Sequence, residues 1–240
     1  FMVISNDPPL SLSATSSEIC PGDTATLTVT TTAGSFSWNT GALTNSIEVT
    51  AAGDYWVTVT DQGCSGVDTL TISAKPAPVV NLGADTAICA DQTLQLDATY
   101  TGATYSWSTG ETSPTVTVTT AGEYTVTSTL DGCTARDTID VGVNALPVVN
   151  LGADTAICGN ATLELDATYT GATHTWNTGA TSSTITVTSG GTYSVVNSLN
   201  GCTARDTIDI AIDPVPVLNL GADIAICADG TTQLDGTLAG

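Results

Sequence analysis

The stretch TVTVTTAGEYTVTSTLDGCTARDTIDVGV, residues 115–143, decides the fold. Its first five residues alternate Thr with Val, residues 123–129 place Tyr124 and Val126 on one side, and residues 136–143 set Ile139, Val141 and Val143 opposite Arg136, Thr138 and Asp140. A period of two marks strands with one buried face. The AG and DG dipeptides between the runs are turn signals. Upstream, TLQLDAT at 93–99 and the segment 103–108, which carries Trp107, continue the pattern. The expected fold is all-β, an antiparallel sandwich with no helix of useful length.

The pattern recurs with a period of about 69 residues, the self-similarity that marks a repeat array. That spacing separates Cys20, Cys89, Cys158 and Cys227 from one another, and likewise Cys64, Cys133 and Cys202. Trp38, Trp107 and Trp176 keep it, as do Tyr55, Tyr124 and Tyr193, which are therefore read as core. NLGADTAIC occurs at 81–89 and 150–158 and returns as NLGADIAIC at 219–227. The expected organisation is three full repeats, 9–77, 78–146 and 147–215. Residues 1–8 align with the last strand of a preceding repeat, and 216–240 with the start of another. The junctions are short and carry proline, as in Lys75-Pro76-Ala77-Pro78 and Asn144-Ala145-Leu146-Pro147, the latter leading directly into a Val148-Val149 strand. Proline stiffens such connections.

A unit of that size is small for a stable core, so covalent support is expected. Each full repeat holds two cysteines 44 residues apart, which pairs Cys20 with Cys64, Cys89 with Cys133 and Cys158 with Cys202. A loop of that length stabilises by about 4 kcal/mol in the chain-entropy model. Cys227 is left over, its partner expected beyond residue 240. Zinc is disfavoured, because no CxxC or Cys/His cluster exists and the lone His174 replaces Tyr105 of the preceding repeat.

The order Cys, Trp, Cys within each repeat is the immunoglobulin-like arrangement, although Tyr124 stands nine residues before Cys133 and not two. WNTGALTNSIEVTAAGDYWVTVTDQGC at 38–64 and WSTGETSPTVTVTTAGEYTVTSTLDGC at 107–133 resemble the Ig-like or PKD-like repeats of large secreted Bacteroidota surface proteins. These are the adhesins and gliding-motility-associated proteins exported by the type IX system. The resemblance implies an extracellular β-sandwich array and names no ligand.

The chain has 3 basic and 24 acidic residues, a formal charge of −21, which excludes a basic face for nucleic acid or anionic lipid. No apolar run approaches the roughly 20 residues of a membrane span. One histidine in one repeat supplies no catalytic set, so no enzyme is expected. Asp85, Asp154 and Asp223 recur at one position, with Asp140 and Asp209 near repeat ends; Ca²⁺ at the junctions is one reading and a solvated acidic face the other. Asp-Thr followed by a small or aliphatic residue occurs at Thr24, Thr69, Thr86, Thr138, Thr155 and Thr207, and resembles the O-glycosylation sequon of Bacteroidota secreted proteins. Asn160-Ala161-Thr162 is a lone N-glycosylation sequon.

The expected function is a semi-rigid stalk or filament segment, with neighbouring repeats, laterally associated copies and surface glycans as partners and no cofactor. The alternatives are an adhesive module using the YTGAT loops at 100–104 and 169–173 to bind carbohydrate or a host ligand, or ancillary domains of a secreted hydrolase.

Overall fold

The computed structural model describes residues 10–32, 34–218, 220, 222–234 and 236. The alternating runs become strands. The first repeat holds β1 (Ser11–Ala14), β2 (Glu18–Ile19), β3 (Ala25–Thr30), β4 (Ser35–Trp38), β5 (Ser46–Val49), β6 (Gly53–Asp61) and β7 (Cys64–Ala74). The second holds β8 (Thr86–Cys89), β9 (Leu94–Asp97), β10 (Thr104–Trp107), β11 (Thr115–Val118), β12 (Gly122–Leu130) and β13 (Cys133–Asn144). The third holds β14 (Thr155–Cys158), β15 (Leu163–Asp166), β16 (Thr173–Trp176), β17 (Thr184–Val187), β18 (Gly191–Leu199) and β19 (Cys202–Asp213).

In the first repeat one sheet runs β1-β3-β5 and the other β2-β7-β6-β4. The buried residues of both sheets form one cluster, from Leu27 and Val49 to Trp38, Val57 and Ile72. This is an Ig-like sandwich: a short strand lies parallel to the last strand, and the rest of the pairing is antiparallel. The second and third repeats repeat the four-stranded sheet as β10-β12-β13-β8 and β14-β19-β18-β16, faced by the pairs β11-β9 and β15-β17. The chain is therefore a tandem array of Ig-like β-sandwiches.

Two residue types fix each core. The indoles of Trp38, Trp107 and Trp176 are buried, and each Nε1–H is satisfied by a carbonyl six residues on, Thr44, Ser113 or Ser182, at 2.8–2.9 Å. Tyr55, Tyr124 and Tyr193 each donate their hydroxyl to the carbonyl four residues back, at 2.9, 2.8 and 3.0 Å. This is the tyrosine-corner contact of Ig sandwiches, with the tyrosine near the start of its strand; the second cysteine is far from it because it opens the following strand, after the hairpin.

The last hairpin of every repeat turns on two residues with positive φ: Gln62-Gly63, Asp131-Gly132 and Asn200-Gly201. Asp61↔Cys64, Leu130↔Cys133 and Leu199↔Cys202 close these hairpins, the primed-turn geometry that DG and NG favour. The second cysteine of each repeat thus opens the longest strand.

One core position is polar in two repeats. Cross-strand neighbours Phe36↔Val59 become Tyr105↔Ser128 and then His174↔Asn197. His174 Nδ1 lies 2.8 Å from Asn197 Oδ1, while Asn197 Nδ2 donates to the Ala167 carbonyl at 2.8 Å. Both side chains are buried. Replacing Asn197 by Ala strips partners from two buried polar groups. The expected cost is about 2–4 kcal/mol, read as a lower urea midpoint.

Strand limits differ from the sequence expectation by a few residues, chiefly because β13 starts at Cys133, immediately after the turn. Val148 and Val149 form no strand, and Val148 is exposed. The expected strand at 1–8 lies outside the described residues. Among the described residues from 214 onward no strand occurs. β14 is held by parallel pairing with β19.

The chain divides into two compact units, Phe1–Ala87 with Thr93–Gly142, and Ile88–Gln92 with Val143–Gly240. The short segment Ile88–Gln92 joins the second unit through a covalent bond of Cys89.

Candidate functional site: the stapled junctions

Among the described residues two disulfides form, and both cross from one repeat to the next. Cys20 is bonded to Cys133 and Cys89 to Cys202, with Cα–Cα distances of 5.4 and 5.6 Å and the same sequence separation of 113. Cys64, Cys158 and Cys227 are free. The expected pairs Cys20–Cys64, Cys89–Cys133 and Cys158–Cys202 are therefore corrected.

The reason is register. Ile19 lies opposite Ala74 and Cys158 opposite Asp213, so the first cysteine of a repeat stands at the far end of the last strand. The second cysteine, Cys64 or Cys202, opens that same strand eleven residues earlier. At roughly 3.3 Å per residue the two are about 35 Å apart. A disulfide needs Cα atoms within about 7 Å. Only the hairpin of the next repeat brings a cysteine to the place where the first cysteine waits.

A polar contact accompanies each staple at the same period. Lys75 Nζ donates to the Asp131 carbonyl at 3.2 Å, and Asn144 Nδ2 donates to the Asn200 carbonyl at 3.2 Å. The donor ends one repeat, and the acceptor is the tip of the next repeat's hairpin. Lys75 also pairs with Glu18 at 3.6 Å. Cys133 and Cys202 are each 1% exposed, buried at the joint. Each stapled joint is thus crossed twice by covalent bonds, once through the backbone and once through sulfur. Closing a 113-residue loop stabilises by about 5 kcal/mol in the chain-entropy model.

The acidic residues have structural partners. Asp85 Oδ1 accepts the Asp140 amide at 2.9 Å, and Asp154 Oδ1 accepts the Asp209 amide at 2.9 Å. These residues, expected to meet across junctions around Ca²⁺, meet inside one repeat as carboxylate and amide. Among the described residues no group of three or more His, Cys, Asp or Glu is placed to hold a metal. Asp68, Asp137 and Asp206, read in the sequence as part of Asp-Thr, latch the amides of Leu12, Leu82 and Leu151 at 2.9, 2.6 and 2.6 Å. Their recurrence at the repeat period was the signal for a shared role. The hydroxyl and then the amide of Thr99 lower the Asp97 pKa, and those of Thr168 do the same for Asp166.

Thr24, Thr69, Thr86, Thr138, Thr155 and Thr207 are all exposed, and Thr138 also shares a 2.9 Å hydrogen bond with Thr125. The loop at 100–104 is tied down: Tyr105 Oη donates to the Tyr100 carbonyl at 2.8 Å and accepts its amide at 2.7 Å.

Fold and joints together define a class: a tandem Ig-like array whose neighbouring repeats are disulfide-bonded. No family model matches the chain, and no curated protein does. Solved structures similar to the chain include a three-Ig variant of titin (13% identity, 86% of this chain and 98% of that one, TM-score 0.38). Others are extracellular domains 3–5 of Drosophila OTK (12%, 88% and 98%, 0.37) and the three N-terminal domains of the Highly Immunogenic Outer Capsid protein of bacteriophage RB49 (15%, 86% and 99%, 0.38).

Proposed function

We propose that the chain is a semi-rigid extracellular spacer, a stalk or filament segment of a large cell-surface protein of adhesin type, built from the repeats 9–77, 78–146 and 147–215. The observation that carries this reading is the crossed staple. A joint with two covalent connections resists the bending and twisting that a lone linker allows, and it transmits tension even when a repeat loosens. The staples also support an oxidising, extracytoplasmic setting, since cytosolic thiols stay reduced. An acidic, Thr-rich surface keeps such a segment hydrated, and the six exposed threonines are accessible as glycan acceptors must be. Among the described residues a catalytic or ligand-binding role finds no comparable feature, and the YTGAT loop of the second repeat is tied down by the hydroxyl of Tyr105, the residue that follows it.

Small-angle scattering tests the reading. The oxidised protein is expected to show an extended, narrow distribution of dimensions, and reduction under non-denaturing conditions broadens it. A compact or already broad distribution in the oxidised state, unchanged by reduction, would sink the spacer role.

A further inference from the structure

Three of the four tryptophans are core; the fourth, Trp56, is 45% exposed on the outer face of the sheet β2-β7-β6-β4. Alternation along β6 sends Tyr55 and Val57 inward and Asp54, Trp56 and Thr58 outward. The backbone of Trp56 is pinned from both sides. Its amide donates to Asn39 Oδ1 at 3.3 Å, its carbonyl accepts the Asn39 amide at 3.0 Å, and Thr69 stands opposite it on β7. Val67, 62% exposed, opposes Thr58 and is therefore the diagonal neighbour of the indole, within its reach.

The other repeats cover this position. At the period of 69, Trp56 corresponds to Thr125 and Ser194, both buried, and Val67 to Arg136 and Arg205. In the third repeat Arg205 Nη2 donates to Ser194 Oγ at 3.1 Å, a long side chain laid over a small one. The first repeat inverts the pair: a large flat ring stands beside a short neighbour, which leaves the ring open. Ser37, Thr58, Thr69 and Thr71 surround it with hydroxyls. Asp54 is the one charge among these outward positions, and its Oδ1 accepts the Thr71 hydroxyl at 2.6 Å.

We propose that Trp56 is a stacking platform for a neutral glycan, on which a β-linked glucose or N-acetylglucosamine unit lies flat. The substituents of such a pyranose are equatorial, so its ring face presents C–H bonds, which meet the negative face of the indole. The equatorial hydroxyls then point outward to the surrounding serine and threonine hydroxyls. Size and charge select this occupant. The exposed parts of Trp56 and Val67 amount to on the order of 200 Å², against the roughly 800 Å² per partner of a stable protein interface. Anionic sugars and nucleotides meet a chain of charge −21 and a face with no cation. A quaternary ammonium wants a cage of aromatics, and Trp56 is the one aromatic among the outward positions. The site goes beyond the spacer reading and is independent of it, because a rigid and a flexible array would present the same sheet.

Titration of the full oxidised chain with cellohexaose and with chitohexaose, followed by tryptophan fluorescence and calorimetry, should give saturable binding to at least one. Trp56→Ser and Val67→Arg each copy the third repeat, a sheet that the array already folds. Each should weaken binding about tenfold or more, the scale of one aromatic stacking contact. Trp56→Phe should retain part of it, and oligogalacturonate, the anionic control, should not bind. Absence of saturable binding to both neutral oligomers, binding untouched by Trp56→Ser, equal binding of oligogalacturonate, or a Trp56-dependent self-association without sugar would overturn the proposal. None of these outcomes bears on the scattering result for the spacer.

Discussion

Trypsin digestion of the oxidised, alkylated and denatured chain should leave residues 1–205 as one cross-linked product, which separates only on reduction. The chain contains three basic residues, Lys75, Arg136 and Arg205, and Lys75 is followed by Pro76, where trypsin cuts poorly. Cleavage after Arg136 and Arg205 gives fragments 1–136, 137–205 and 206–240. With the staples observed, Cys89 lies in the first fragment and its partner Cys202 in the second, so the two stay joined. Even a cut after Lys75 frees nothing, because Cys20 still holds Cys133. Bonds closed within repeats would give the opposite result, since Cys158 and Cys202 both lie in 137–205 and that fragment would leave alone. The readout is all or none, independent of whether any variant folds. A free 137–205 fragment from non-reduced material would refute the crossed pairing and the joint built on it.

What the sequence makes legible is whatever depends on local pattern. Alternation at 115–119 and 136–143 yields β11 and β13, the repeat period yields the array, and burial of Trp107 and Tyr124 follows from their recurrence among alternating apolar residues. Pairing of the cysteines was out of reach for a definite reason. The short separation within a repeat and the long one between repeats are both compatible with a disulfide, and the entropy of loop closure differs by only about 1 kcal/mol. The deciding fact is that Glu18–Ile19 pairs parallel to the end of β7, which carries Cys20 to the far end of the strand that Cys64 begins. A two-residue parallel pairing leaves no periodic trace. The aspartates were hidden differently. Asp137 and Asp85 read as surface acids because they are charged, yet each turns its carboxylate to a backbone amide some 55 residues away, and Asp137 does so from the Ile139 side of its strand. The swap of Phe36–Val59 for His174–Asn197 was visible only as a lone histidine, since its partner stands on another strand.

Stretched from its two ends, the oxidised chain should stop at about one third of the extension that the reduced chain reaches. In the reduced protein the path from Leu10 to Asp213 runs through 203 residues of backbone. At about 3.6 Å per residue, full unfolding yields about 730 Å. In the oxidised protein the shortest covalent path follows the backbone from Leu10 to Cys20 and crosses to Cys133. It then runs back along the backbone to Cys89, crosses to Cys202 and ends at Asp213. That path of about 65 residues allows about 230 Å. Cys133→Ser leaves the Cys89–Cys202 staple alone, so the path becomes the backbone from Leu10 to Cys89 and from Cys202 to Asp213, or about 320 Å. The same variant under within-repeat pairing would reach about 410 Å, because Cys20–Cys64 and Cys158–Cys202 leave the whole backbone from Cys64 to Cys158 unbridged. Single-molecule pulling in the presence and absence of reductant resolves these lengths. The backward run through the second repeat has a mechanical meaning. Tension entering at Cys133 and leaving at Cys89 loads opposite ends of that sandwich, where β13 spans the distance between them. Force is then borne by a strand paired over most of its length with β12, the arrangement in which many hydrogen bonds must shear together before the repeat yields. An oxidised chain that extended as far as the reduced one would remove the mechanical argument for the spacer, whatever its shape at rest.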